Sequence, residues 1–357
     1  MSDEKDDNMG NEMNRRNFMK AMAAAGAVFF MDGVFHEGAT AMEGLKIEEA
    51  EKLVITVITD NYTDALRPHY KIARRHEGTK SPMDIILHAE HGLAYHVETV
   101  VNAESHSFLF DFGTDFQGIK RNIELLKIDL KRIEALILSH DHFDHQAAMI
   151  ELLKDKKGDI LKDIPFYIGE QFFAGSHMRT SSNNVVSLLA LKIEDIEELD
   201  LVKIIEIKLP TQIVPGAYLI GKIDQVTDYE KIPPVFLTKR GDQLVQDDFI
   251  GEQAIVLNAK GKGLVVLSAC AHRGIVNTIR QAQKITGIEK VHAVLGGFHL
   301  TGAKPELIQR TISDIKAINP DYIVPFHCTG FEAITAFARE MPDQFILNTS
   351  GTRYIIT

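Results

Sequence analysis

The chain has no tryptophan and only two cysteines, Cys270 and Cys328, among its 357 residues. Two thiols cannot build a disulfide framework. No uninterrupted apolar run is long enough to cross a bilayer as a stable helix. Positive charge is also in short supply: 39 Lys and Arg stand against 50 Asp and Glu, a net charge of −11. A nucleic-acid surface needs a basic face to meet phosphate, and beyond Lys71 to Arg75 there is no basic stretch, so that class is disfavoured. What is present is enough apolar material, 45 % of residues, to bury a full core.

The N-terminus differs from the rest. Residues 1 to 12 are polar and acidic, a composition that predicts disorder. Then come Arg15 and Arg16, Phe18, Lys20, a modestly apolar Ala/Gly-rich run, and Ala39-Thr40-Ala41 as an A-x-A cleavage pattern. This resembles a twin-arginine export signal, the alternative being an ordinary amphipathic N-terminus. Residues 1–45 are therefore assigned to a tail and signal peptide, and 46–357 to a single domain. An exported chain would end in the periplasm or outside the cell, with no stable membrane span once the signal is removed.

From Leu53 onward short apolar strands alternate with helical periodicity. LVITVITD reads as a strand. The stretch from Leu93 to Gly113 reads as a hairpin ending on Asp111. A helix follows, with Ile119, Ile123, Leu126 and Ile128 on one face. ALILSH reads as a buried strand, QAAMIELLKD as the helix leaving it, and PFYIGE as another strand. Residues near 165–250 are richer in charge and proline and read as irregular and pocket-forming, with room for one hairpin. Two strands around a Lys-Gly-Lys-Gly turn come next, then a helix from about Asn277, the strand VHAVLGG, a helix over Ile308 to Ile318, the strand DYIVPFH, and a final strand pair in ILNTSGTRYIIT. Two βαβ-like halves, each sheet beginning with antiparallel pairs, predict an α/β fold of sheets packed face to face with helices outside.

The chemistry concentrates in LILSHDHFDHQAAM, residues 136–149, where three histidines and two aspartates fall within six positions. In an extended segment His140 and His142 point the same way, a spacing that grips one metal ion. Asp144 and His145 fall where the strand gives way to a helix and face a point a few ångströms off, so two adjacent sites are expected. Imidazole with carboxylate is the ligand set of zinc first, with iron or manganese as alternatives. A solvated His/Asp loop is the bland alternative, and the apolar strand running straight into the cluster argues against it.

S-H-D-H-F-D-H resembles the H-x-H-x-D-H signature of the metallo-β-lactamase superfamily, and FLFDFGTD, LSACAHRGIVN, VLGGFHL and IVPFHCTG extend the similarity to the C-terminus. They are similar to a branch that includes proteins labelled 7,8-dihydropterin-6-yl-methyl-4-(β-ribofuranosyl)aminobenzene 5′-phosphate synthase together with many metal-dependent hydrolases. The resemblance implies an αββα sandwich of two mixed sheets with a two-metal site between them. It makes His327 the last metal histidine and His272 a further ligand. It makes Asp111 a residue that orients a ligand histidine. The superfamily's bridging aspartate has no clear counterpart; His272 fills the vacancy, or Cys270 does as a thiolate, with a buried small residue as the alternative for Cys270. His177 is a weaker candidate for the missing loop histidine. His299 is a candidate proton donor or substrate-holding residue, with a structural role as the alternative. Asp60, Asn61 and His91 are expected to line the pocket.

The implied activity is that of a metal-dependent hydrolase on a small-molecule substrate, with a metal-bridged hydroxide attacking an ester, lactone, amide or phosphoester, and Asp144 and His299 as its catalytic residues. A transferase of the synthase type would use the same metals to hold a diphosphate leaving group. A metal or ligand sensor on the same fold is the third reading, against which the intact Asp144 argues. Association with further copies of the chain is open.

Overall fold

The computed structural model describes residues 45–78 and 81–357. The segment expected to be an export signal falls outside the described residues. Short, largely buried apolar strands build two large sheets whose inner faces meet. The first has eight strands and the second seven. In the first, Lys52–Thr59, Ala94–Val101 and Glu104–Phe110 pair antiparallel, then Ala135–Ile137 and Ile164–Gly169 join parallel. The second repeats this scheme. Ala217–Leu219, Ile255–Ala259 and Gly263–Leu267 pair antiparallel, then Val291–Gly297 and Tyr322–Phe326 add parallel.

The core between the sheets takes every second residue of each strand, as a period of two requires. Leu53, Ile55 and Val57 from one sheet share a buried cluster with Val265, Leu267, Ala293 and Leu295 from the other. Tyr95 reaches across, its hydroxyl donating to the Ser268 carbonyl at 2.9 Å. Helices cover the outer faces. Phe116–Leu126 begins on Asp115, whose carboxylate accepts from the amides of Gln117 and Gly118, and it buries Ile119, Ile123 and Leu126. Ile128 lies beyond its end at Lys127, whose left-handed backbone stops the helix. On the second sheet Ile275–Thr286, Pro305–Ile318 and Phe331–Glu340 pack over Val294 and Ile323. This is the αββα sandwich that the sequence led us to expect.

Three details differ from expectation. The helix after the histidine cluster is broken into Phe143–Gln146 and Met149–Asp155. The C-terminal stretch holds one strand, Arg353–Ile356, which pairs with Lys52–Thr59. Ahead of it, Phe345 and Ile346 only bridge to Ile323, because the turn at Thr349–Thr352 redirects the chain to the other sheet. The segment 165–250 carries more regular structure than its composition suggested. Val202–Ile207 extends the first sheet and Thr211–Val214 the second. The expected hairpin, Phe236–Arg240 with Gln243–Gln246, joins Ser176–Arg179 and Val185–Ser187 in a small third sheet.

Candidate metal centre

The candidate ligands follow the carboxyl ends of strands, the place where open α/β sheets present their loops to ligands. Asp111 follows Glu104–Phe110, and His140 lies three residues past Ala135–Ile137. His272 follows Gly263–Leu267, His299 follows Val291–Gly297, and His327 directly succeeds Tyr322–Phe326. Turning sharply there demands unusual backbone. Asp111, Ala271, His299 and His327 all have positive φ, between 48° and 60°. A non-glycine residue pays about 1–3 kcal/mol for such a conformation, and these cases gather around one point.

The side chains form two abutting groups. His140, His142 and His272 offer donor atoms within 4.8 Å of one another. Asp144, His145, Cys270 and His327 do the same. The pairing of His140 with His142 does not come from strand alternation, since the strand ends at Ile137. A loop sets the rings 4.6 Å apart, and Asp141 between them turns away to accept from the Ser176 hydroxyl at 2.7 Å.

The supports are carboxylates. Asp111 Oδ2 receives His145 Nδ1 at 2.7 Å and the Ser139 hydroxyl at 2.8 Å, and Ser139 Oγ lies 2.8 Å from His140 Nδ1. One buried aspartate thus aligns two imidazoles. Glu252 supports one imidazole from the other sheet: its Oε1 lies 2.8 Å from His272 Nδ1, while its two oxygens accept the backbone amides of His272 and Arg273. Burial pushes the Glu252 carboxyl up to about 7, against the pull of those amides. Phe249 stacks flat on His272, rings 4.0 Å apart, and Phe236 packs edge-on against both.

Electrostatics divide the centre. Burial holds His140 and His272 well below the ordinary histidine value, and His142 down to about 3, so all three are neutral with a lone pair to offer. In the second group burial works against the Asp144 carboxylate, yet His145 and His327 hold it well below the usual range. Burial likewise disfavours a proton on His145, but Asp144 and Asp111 outweigh it and push the imidazole up to about 9. A pocket that would keep a proton there would equally keep a metal cation.

The fit to a divalent ion rests on orphaned atoms. Among the described residues, His140 Nε2, His142 Nε2 and His272 Nε2 are buried with no hydrogen-bond partner. His327 Nε2 lies 3.3 Å from Asp144 Oδ2 as an ion-pair contact and is likewise without a well-formed hydrogen bond. Buried polar atoms rarely stay unpaired, and four such nitrogens converging on carboxylate and thiol suit a metal. Imidazole and carboxylate suit zinc, and iron or manganese also.

The remaining candidates divide. Cys270 is buried with Sγ 3.2 Å from His145 Nε2, inside the second group. His299 stands with Cys270 and Cys328 in a third cluster, its ring 4.2 Å from that of His272. Asn61 donates to the His327 carbonyl and meets His91 Nδ1 at 3.2 Å. His91 stacks over His327 and brings Nε2 within 3.6 Å of Asp144. Asp60 is buried and tied to Asn348 and Ser350. His177 stays out of these groups, its Nδ1 on the Gly175 carbonyl. Sequence reasoning missed Glu252, Phe249, Phe236 and Ser139. Only Ser139, inside the signature, left a local signal. A cleft of roughly 210 Å³ opens beside His272 and His299, lined also by Glu230, Lys231 and Thr301.

A model of the metallo-beta-lactamase superfamily matches residues 93–159. The 7,8-dihydropterin-6-methyl-4-(beta-D-ribofuranosyl)-aminobenzene-5'-phosphate synthase of Methanocaldococcus jannaschii is 34% identical over 280 residues, covering 77% of this chain and 92% of that protein. An uncharacterized protein of the same organism is 25% identical over 255 residues, 70% of this chain and 88% of its own. The crystal structure of a metal-dependent hydrolase of the beta-lactamase superfamily shares the fold with a TM-score of 0.64 at 21% identity, covering 84% of this chain and 98% of that one. With its sandwich, its strand-end histidines and this kinship, the chain belongs to the metallo-β-lactamase superfamily.

Proposed function

We propose that the chain is a metal-dependent hydrolase of an ester, lactone, amide or phosphoester, holding two divalent ions, zinc first. The observation that carries this reading is the pair of abutting buried donor groups with unpartnered imidazole nitrogens. Bound ions would supply Lewis acidity and a water acidic enough to react near neutral pH. The protein's own part is positioning. His140, His142 and His272 would hold one ion, and Asp144, His145 and His327 the other, with Cys270 at their seam. Asp144, kept ionised, would orient the attacking nucleophile by accepting a hydrogen bond from it. His299, which borders the cleft, would donate a proton to the leaving group. Phe236 and Phe249 shield the rings from water.

Asp144→Ala should abolish turnover on a panel of chromogenic esters, lactones and phosphodiesters while circular dichroism stays unchanged. Undiminished turnover in that variant would remove the reading. A synthase-type transferase releasing diphosphate is the second reading, favoured by the name of the 34% identical relative. It requires diphosphate to accumulate from a pterin donor, where the hydrolase consumes water alone. We also place the working compartment outside the cytoplasm, on Arg15, Arg16 and the Ala39-Thr40-Ala41 pattern. A chain found unprocessed in the cytoplasm, indifferent to replacing both arginines by lysine, would refute that.

A further inference from the structure

The chain's only two cysteines touch each other. Cys328 Sγ donates to Cys270 Sγ at 3.3 Å and to the Cys270 carbonyl at 3.5 Å, and both are buried and unbridged. This contact is not what the topology offers by default. Cys270 follows the strand Gly263–Leu267 and Cys328 follows Tyr322–Phe326, with Val291–Gly297 between them. Neighbouring strands lie about 4.8 Å apart, so side chains two strands apart do not ordinarily meet. They meet here because the intervening residue is Gly297. A Cβ on it would stand 2.6 Å from Cys328 Sγ and overlap the Ala269 carbonyl oxygen.

The other side of Cys270 faces the metal centre, 3.2 Å from His145 Nε2 and among the donors Asp144, His145 and His327. We propose that Cys270 and Cys328 form a reversible disulfide, and that forming it withdraws Cys270 from the centre, so that oxidation and metal loading exclude each other. The second half of this inference rests on the reading of that donor group as a metal site.

The chemistry balances with a peroxide as oxidant. Two S–H bonds break and one S–S bond forms. Two electrons and two protons pass to hydrogen peroxide, which becomes two waters, and a dithiol returns the pair to the reduced state. The sulfurs must close from 3.3 Å to about 2.05 Å, an approach that the side chains and the two strand ends have to supply together. A disulfide sulfur has no thiolate to give a metal, and a thiolate engaged by a metal is a poor target for peroxide.

The test uses the full chain, zinc-loaded and chelator-stripped, each exposed to hydrogen peroxide. The stripped chain should lose about 2 Da and both titratable thiols, with peptides carrying Cys270 and Cys328 linked. Its zinc affinity should fall at least tenfold and return with dithiothreitol. The zinc-loaded chain should oxidise at least tenfold more slowly. Cys328→Ser should bind zinc as the parent does and lose the reversible response. Thiols that stay free, or over-oxidise singly, in the stripped chain overturn the disulfide. A disulfide that leaves zinc affinity unchanged overturns the lock alone. A reduced chain that takes up no zinc sinks the metal reading instead, while intact mass still reports on the disulfide.

Discussion

The two halves of the candidate metal centre are built in opposite ways. His140, His142, Asp144 and His145 stand within six consecutive residues, on a loop and the first turn of a short helix. Cys270, His272, His299 and His327 come from the ends of three different strands of the other sheet. The first half needs only one turn of chain to converge. The second needs parallel register, left-handed backbone at three positions, and a glycine that lets neighbours close. Both halves nevertheless depend on one buried carboxylate each, Asp111 and Glu252. Contiguity in sequence brings ligands near, and aiming them takes a partner from elsewhere.

The largest expected effect tests that dependence. Asp111→Asn should lower zinc affinity by about 100-fold, since one residue aligns both His145 and, through Ser139, His140. Glu252→Gln should cost only about 10-fold, because it loosens His272 alone among the imidazoles. Competition with a chromogenic chelator would rank the two. If Asp111→Asn bound zinc like the parent, contiguity alone would be sufficient and the comparison would break.

Next in size, Gly297→Ala should destabilise the dispersed half by about 1–3 kcal/mol, read by urea denaturation. Gly158→Ala, with no neighbour within 4 Å of the added carbon, is the control and should be close to neutral. A smaller effect separates ligand histidines from merely buried ones. His96 alternates with the inward Tyr95 and Val97 and so faces the outside of the first sheet. Burial, then Arg353 and Arg132, lowers it from 6.5 to about 4. The unfolded chain therefore takes up this proton first, and stability should fall as pH drops from 6.5 towards 4, by at most about 3 kcal/mol. His96→Leu should remove one proton's share of that slope, in stripped and zinc-loaded chain alike. The smallest prediction is no change: His177→Ala should keep the parent's metal content by elemental analysis, because its ring serves the Gly175 carbonyl.

Much of this was legible in the sequence for local reasons. The apolar runs around Leu53 to Val57 and Val291 to Leu295, buried on both faces, and the one-sided helix on Ile119, Ile123 and Leu126 announce themselves because their apolar residues must be hidden. The segment 165–250 did not, because its strands are short and half exposed: Val185 to Ser187 are open to solvent and pair only with Ser176–Arg179. Edge strands of that kind owe their form to a neighbour rather than to their own pattern. The final strand pair failed for the opposite reason, since an apolar stretch around Ile346 says nothing of the turn that follows it.

The centre divides along the same line. Residues 136–149 by themselves determined that imidazoles and carboxylates would meet, since six neighbouring positions cannot separate far. Only the tertiary structure decided that Glu252 would hold His272, that Phe249 would stack upon it, and that Cys328 would touch Cys270 across a whole strand. Those contacts join residues 20 to 58 positions apart. Their distances are set by sheet register and by the absence of one side chain at Gly297, and neither is written in the local sequence of the groups that meet.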